Sequence, residues 1–415
     1  MQRGSVTINP LVMKSKNSTV YSWSLYDFAN TIFSMNIITM YFPLWVTRDK
    51  GGLDIYYSFA LSASMVAAGL VMPVVGAMSD HSKRRMPFLI GFTVMCAAFT
   101  AGIRLADGLA MGLVLFALAN FGYQAALAPY DALLPEVSRG RSIGWVSGLG
   151  VSLGYVGSIA GLYMVKPLVD NYGRTAAFVP TGALFLLFAL PAFIFIREKG
   201  SAKPKRQVDG KRVFKKIAVT LKNTRRYPGL LRFLVANIVF SDAVNTVIAF
   251  IAVYASKVIG MDDRAIRMLL VSSTVFAAVG SYGAGYLTDR LGPKRALMLA
   301  LGLWTFTLTL AGFSFSRTVF YAVGPLAGIS LGSTWVTSRA LVARLTPPRK
   351  FGEVYGLYNL GGKFGYVIGP LVWGGIVWWL SPYGLIGYRV AILSLVMFMV
   401  AALYILKGVP ENVSA

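Results

Sequence analysis

The sequence predicts an all-α polytopic membrane protein whose twelve transmembrane helices form two pseudo-symmetric six-helix bundles. Three observations carry that prediction. Of the 415 residues, 56% are hydrophobic and 13% charged, with a mean hydropathy of +0.63, whereas a soluble domain holds about 45–50% and 25%. The apolar residues gather into twelve runs, each about 18 residues or longer, the length at which a helix crosses hydrocarbon. The last six runs repeat motifs of the first six.

The predicted spans of the first half are Val20 to Val46, Tyr56 to Met78, Met86 to Leu105, Leu109 to Ala128, Ile143 to Val165 and Ala176 to Ile196. Those of the second are Leu230 to Tyr254, Ile266 to Leu287, Ala296 to Phe315, Val319 to Val342, Tyr355 to Leu380 and Tyr388 to Leu406. The chain thus divides into an N-terminal bundle (1–196), a basic linker (197–229) and a C-terminal bundle (230–415). The repeat shows in three places. Gly76 and Asp80 after the second span match Gly285 and Asp289 after the eighth, an offset of 209. Val146-Ser147-Gly148-Leu149 matches Val354-Tyr355-Gly356-Leu357 at an offset of 208, and Asp27 with Asn30 matches Asp242 with Asn245 at 215. A parallel repeat of this kind places a binding site near mid-membrane, where the halves meet.

A net charge of +24 invites a nucleic-acid reading, but its distribution is topogenic. With the N-terminus in the cytoplasm, 29 Lys and Arg fall on the cytoplasmic side and 10 on the other, which the positive-inside rule converts into two cytoplasmic termini. The stretch from Arg197 to Arg232 holds thirteen basic residues. Apolar residues at helical spacing among them, over 206–222, predict either an amphipathic helix lying on anionic lipid or a solvated tether. The first apolar run is too long for a cleaved signal peptide. A monomer in a bacterial inner membrane is expected.

An ionised side chain at the bilayer centre costs at least about 2.5–3.5 kcal/mol, so Asp27 needs a partner, a proton or a water-filled cavity. Asp27, Asn30 and Ser34 share one face of the first helix, and Asp242 and Asn245 share one face of the seventh. A carboxylate drawn out of water holds a proton more readily, so these residues suit proton coupling or ligation of a cationic group; a buried structural aspartate is the alternative. Lys363, among glycines in the eleventh span, suits pairing with either aspartate or an anionic substrate, or snorkelling to the cytoplasm. Trp335 with Thr334 and Ser338, and Tyr123 with Gln124, are further cavity candidates. Trp23, Trp45, Trp145, Trp378 and Trp379 lie near span ends, as interfacial anchors do.

Other chemistry is excluded or disfavoured. The chain has one Cys, Cys96, and one His, His81, so it carries neither a disulfide framework nor a histidine or cysteine metal site. No Walker loop or serine–histidine pairing appears, so neither an enzyme nor a cofactor is expected.

The loop Gly76, Asp80, Lys83, Arg84, Arg85 and its copy Gly285, Asp289, Arg290, Lys294, Arg295 resemble the signature of the major facilitator superfamily. Within it, Tyr26-Asp27-Phe28-Ala29-Asn30, Tyr130 to Glu136, and Ser147-Gly148-Leu149-Gly150 with Gly154 and Gly157 resemble the autophagy-related vacuolar effluxer family. Thr31-Ile32 and Asp131 depart from that pattern. The resemblance implies the major facilitator fold, with spans 1, 4, 7 and 10 lining a cavity. It also implies a cytoplasmic latch in which the glycines let helices approach, Asp80 accepts from a helix N-terminus, and Glu136, Arg139 and the second copy are partners. By the same resemblance the function is secondary active export of a small polar solute, with amino acids the substrates of eukaryotic members. A divalent-metal exporter, a cation-coupled sugar or drug carrier, and a non-transporting membrane sensor remain alternatives.

Overall fold

The computed structural model describes residues 17–82, 84–141, 143–198, 227–346 and 351–411, with positions 215, 218, 219 and 221 between the halves. The amphipathic helix expected at 206–222 therefore lies largely outside the described residues, as do the side chains of Asp80, Lys83 and Lys363.

Among the described residues the chain is helical almost throughout. The first half contains α1 (Asn17–Phe33), α2 (Asp54–Ser82), α3 (Met86–Gly102), α4 (Leu109–Val137), α5 (Ile143–Tyr172) and α6 (Phe178–Phe195). The second contains α7 (Leu230–Lys257), α8 (Asp263–Leu291), α9 (Pro293–Phe313), α10 (Arg317–Leu345), α11 (Phe351–Phe364), α12 (Ile368–Trp379) and α13 (Ile386–Lys407). Ten of these are long and apolar enough to cross a membrane. The other two predicted spans, the first and the eleventh, are built from pieces.

The first span continues from α1 through π-helical Ser34–Tyr41, a turn at Phe42–Leu44, and π-helical Trp45–Asp49. Pro43, which has no N–H to give, sits between the two widened stretches. The eleventh span, predicted as continuous, breaks at residues 365–367 between α11 and α12. Gly365 is the first residue of the break, and a helix that loses its i→i−4 bonds inside a membrane must find other partners for the freed groups.

Helix pairing is the same in both halves. α1 packs on α5 and α6, α4 on α2 and α3, and α3 on α6; correspondingly α7 packs on α11, α12 and α13, α10 on α8 and α9, and α9 on α13. Small residues allow the close crossings: a Cβ at Gly157 would lie 2.4 Å from the Phe28 carbonyl oxygen, and one at Gly332 would lie 2.0 Å from that of Ala277. The two bundles touch where α2 meets α11 and α12, where α5 meets α8, and where the π-helical end of the first span meets α7.

Two tryptophans are not anchors. Trp23 and Trp45 are 3% and 1% exposed; Trp23 stacks on Tyr130 with centroids 4.6 Å apart, and Trp45 packs against Phe42 and Phe178. Both face the bundle interior, where an aromatic ring buries more area than at a span end. Trp145, Trp378 and Trp379 are exposed.

Candidate functional site

Asp27 and Asp242 occupy equivalent places. On α1, Asp27 faces Gly150 and Gly154 of α5: a Cβ at Gly150 would come within 2.5 Å of Asp27 Oδ2. Thr31, one turn further, donates to the Gly154 carbonyl at 2.6 Å. On α7, Asp242 faces Gly365 and Gly369, and Thr246, one turn further, donates to the Asp242 carbonyl at 2.7 Å. Aspartate, asparagine, threonine and both facing glycines all repeat at the single offset of 215. The 208 offset at Gly148 and Gly356 thus grows by seven residues, two helical turns, before the second glycine pair is reached.

The two sites differ in what surrounds the carboxylate. α5 runs unbroken past Gly150 and Gly154, and Asp27 is half-buried. Tyr130 of α4, stacked between Trp23 and Tyr26, stands beside it, and the Tyr130 hydroxyl donates to the Trp23 carbonyl at 3.2 Å. Charges acting on Asp27 include Asp131 of α4 and, from the opposite bundle, Arg339 of α10. Asp27 is thus partly exposed, with a cation of the opposite bundle near enough for its charge to act on it.

Asp242 is 2% exposed and sits at the break between α11 and α12. Its Oδ2 accepts the Gly369 N–H at 2.7 Å, a position in the first turn of α12 where a helix favours negative charge. Asn245 donates to the Gly365 carbonyl at 3.2 Å. Asp242 and Asn245 thus each satisfy one of the backbone groups the break sets free.

Asn30 is buried, and neither its amide nitrogen nor its oxygen has a hydrogen-bond partner. Ser34 is half-buried at the start of the π-helical stretch. Tyr123 of α4 packs on Phe33 with centroids 4.8 Å apart, and its hydroxyl interacts with Ser34; Gln124 beside it is buried. Asp27, Asn30, Ser34 and Tyr123 thus come together from the first span and α4. From α10, Trp335 is half-buried, while Thr334 bonds back to Ser330 and Ser338 pairs with the Tyr358 hydroxyl of α11 at 2.9 Å. A partly open carboxylate beside a buried amide can receive a proton or an ammonium group and hydrogen-bond a polar solute.

The contacts shown by Arg85, Arg290 and Arg295 lie within their own halves. A Cβ added at Gly76 or Gly285 would meet nothing within 4 Å, and the same holds for Gly148 of α5 and Gly356 of α11. The expected close approach is absent because the helices that would supply it stand apart at this end. Arg85 donates to the Ala132 carbonyl within its own bundle. The group that caps the following helix is Glu198, whose carboxylate accepts the backbone N–H of Arg85 at 2.7 and 2.8 Å and of Met86 at 2.9 Å. In the second copy Arg290 lies over the Tyr286 ring and Arg295 pairs with Glu411 near the C-terminus. Asp289, Arg139 and Arg84 are exposed, and Glu136 is half-buried.

The opposite end, remote from the termini, is where the bundles are tied together. Arg174 pairs with Asp49 and, across the bundles, with Asp263 at 2.8 Å. Arg267 pairs with Asp170 at 3.2 Å, Arg48 donates to the Ser256 hydroxyl at 3.0 Å, and Tyr388 donates to Asp54 at 2.6 Å. Tyr57 meets Phe250 edge-on, and Phe250 stacks on Trp373.

Paired six-helix bundles with acidic and amide side chains repeated on α1 and α7 define a multi-pass membrane transporter of the major facilitator type, and not an enzyme. Comparison with known proteins gives the family: residues 55–414 match the model described as vacuole effluxer Atg22 like, and the chain belongs to that family. It is 27% identical to the MFS-type transporter YxiO of Bacillus subtilis (strain 168), over 97% of each chain. It is 24% identical to a multi-drug resistance efflux pump PmrA homolog of Lactococcus lactis subsp. lactis, over 93% of each. Similar solved folds include the nucleoside transporter NupG, with a TM-score of 0.74 and 12% identity over 94% of this chain and 98% of that one. An inward-facing, unoccupied bacterial homolog of the human lysosomal transporter Spinster has a TM-score of 0.72 and 15% identity over 94% and 97%.

Proposed function

We propose that the protein exports a small polar solute, with amino acids the first class to test, by proton-coupled alternating access, and that Asp27 is the coupling group. The observation that carries this reading is the asymmetry of the repeat. Asp242 is committed to a backbone N–H at a helix break, whereas its counterpart Asp27 remains partly open and feels a cation from the opposite bundle. A proton carrier must exchange with water on one face and lose contact with it on the other, which suits Asp27 and not Asp242.

With both termini cytoplasmic, as the distribution of basic residues argues, the tied end is extracytoplasmic and the conformation is inward-facing. The test is flux in proteoliposomes under an imposed proton gradient, with a panel of amino acids. Wild-type protein accumulates at least one of them, and Asp27→Asn abolishes gradient-driven accumulation while leaving counterflow exchange. If no solute moves with the gradient, or Asp27→Asn accumulates it as wild type does, the proposal fails. Multidrug efflux is the second reading, supported by the names of relatives such as the Lactococcus pump; drug-gradient flux without amino-acid flux would select it.

A further inference from the structure

Among the described residues of the tied end, one buried carboxylate has no ion-pair partner. Asp49 and Asp263 pair with Arg174, and Asp170 pairs with Lys166 and Arg267. Asp54, the first residue of α2, pairs with no cation and is 2% exposed. Its Oδ2 accepts the Tyr388 hydroxyl of α13 at 2.6 Å, a bond from one bundle to the other, and its Oδ1 is buried with no hydrogen-bond partner. The indole N–H of Trp373 on α12 lies beside the carboxylate but outside hydrogen-bonding geometry, itself without a partner.

The ionisable groups around this pair are few. Lys257, at the end of α7, acts on Asp54 by its charge and Arg48 acts on Tyr388, but neither forms an ion pair with Asp54; Arg48 donates to Ser256 instead. Beside Arg48, Asp49 is held by Arg174 and Lys50 donates to the Asp107 carbonyl. Arg389, next to Tyr388 on α13, donates to the carbonyls of Gly312 and Ser314. The stretch of α4 at this end, residues 109–122, and the whole of α12 carry no ionisable side chain. A carboxylate taken from water into such a place loses more solvation than one neutral donor returns, whereas the protonated acid loses little. The start of α2 and the Tyr388 hydroxyl offset part of that cost. The group is therefore poised between its two forms and locked in neither.

We propose that Asp54 is a second proton-binding site, separate from Asp27, and that a proton on it holds the tied end shut. Oδ1 carries the proton, while Oδ2 keeps the Tyr388 bond and with it the tie between α2 and α13. Loss of the proton leaves a buried charge that water serves better, and water reaches it when the bundles part at this end. The sign is opposite to that of the neighbouring carboxylates. Acid protonates Asp49, Asp170 and Asp263, weakens their pairs with Arg174 and Arg267, and so favours opening; through Asp54 it favours closure. The proposal does not depend on which solute the protein carries.

The experiment reads the opening directly and needs no flux. Cys96→Ser protein carrying Leu105→Cys on the first bundle and Tyr383→Cys on the second, positions 81% and 67% exposed, is spin-labelled. The distance between the labels is measured in samples frozen from about pH 5 to about pH 8. In this parent the short-distance population, with the tied end shut, rises severalfold as pH falls. Asp54→Asn, neutral throughout, is shut across the range and loses the pH dependence. Tyr388→Phe, which removes the donor that serves the charge, is more open than the parent at the alkaline end and shuts again in acid. Populations that do not change with pH in the parent, opening in acid, or an Asp54→Asn response equal to that of the parent overturns the site. The response persists in Asp27→Asn; a response lost there and kept in Asp54→Asn overturns it as well, and assigns the linkage to the mid-membrane aspartate.

Discussion

The carboxylate of Asp242 accepts the backbone N–H of Gly369 at 2.7 Å, from a helix on the far side of a break in the eleventh span. This contact makes a residue of α7 the cap of α12. Its counterpart in the first half, Asp27 opposite Gly154, faces an unbroken helix and caps nothing. The same residue at the same place in the repeat therefore does two different jobs, and the difference lies in the partner helix.

Substitution separates the jobs. Asp242→Asn keeps an oxygen to accept the Gly369 N–H and leaves stability near that of wild type. Asp242→Ala leaves that N–H unsatisfied in a dry place, at a cost of about 1–3 kcal/mol. Asp27→Ala removes no backbone partner, so its thermal midpoint moves less than that of Asp242→Ala. Thermal unfolding in detergent of the four single variants, Asn and Ala at each aspartate, checks this; equal losses for the two alanine variants would contradict it.

The glycines of the helix crossings sort into two sets. At Gly332 a Cβ would lie 2.0 Å from a backbone oxygen, whereas at Gly356 it would meet nothing within 4 Å. Overpacking against backbone costs about 1–3 kcal/mol, while alanine in place of an uncrowded helical glycine gains up to about 1 kcal/mol. Gly332→Ala is therefore expected to unfold at a lower temperature and Gly356→Ala at an equal or higher one. Gly356→Leu retains stability but slows transport, because the alternating-access reading brings this face into contact when the terminal end closes. Unaltered flux in a well-folded Gly356→Leu protein would argue against that closure.

Much of this architecture was legible in the residues and some was not. The all-helical membrane architecture and the aspartate–asparagine repeat follow from run length and spacing, because a membrane span must be long, apolar and internally hydrogen-bonded. The break at Gly365 was not visible: glycines at 361, 362 and 365 read equally as close packing, and only the position of Asp242 and Asn245 across from them shows which one interrupts the helix. Trp23 and Trp45 misled because closeness to a span end does not say which way a side chain points. The true register of the second glycine pair was hidden by the short Val-x-Gly-Leu repeat, two turns out of step with it.

Glu198 is the other residue that spacing could not find, since its partners lie more than a hundred positions away. Its carboxylate accepts two backbone N–H groups at the start of α3. Glu198→Ala should destabilise the first bundle by about 0.5–2 kcal/mol, the range for losing a helix cap, and Glu198→Gln by less. Hydrogen exchange at the first turn of α3 rises in the alanine variant; unchanged protection there would show that the cap is not needed.

Tyr388 and Asp54 tie the bundles at the remote end, the tyrosine hydroxyl donating at 2.6 Å to a carboxylate that is 2% exposed. The other carboxylate oxygen, Oδ1, has no partner, so Tyr388 supplies a hydrogen bond that Asp54 cannot replace from within its own helix. Tyr388→Phe leaves a buried charge under-served, and opening this end to water relieves it. The expected result is a shift toward the state open at the remote end, not a loss of fold. With Cys96→Ser as background and Phe250→Cys as reporter, a membrane-impermeant maleimide added from the extracytoplasmic side labels the Tyr388→Phe protein severalfold faster than its parent. Asp54→Asn in addition restores slow labelling, since a neutral amide no longer demands solvation. Equal labelling rates in parent and Tyr388→Phe would mean that the Tyr388–Asp54 pair does not hold this end shut.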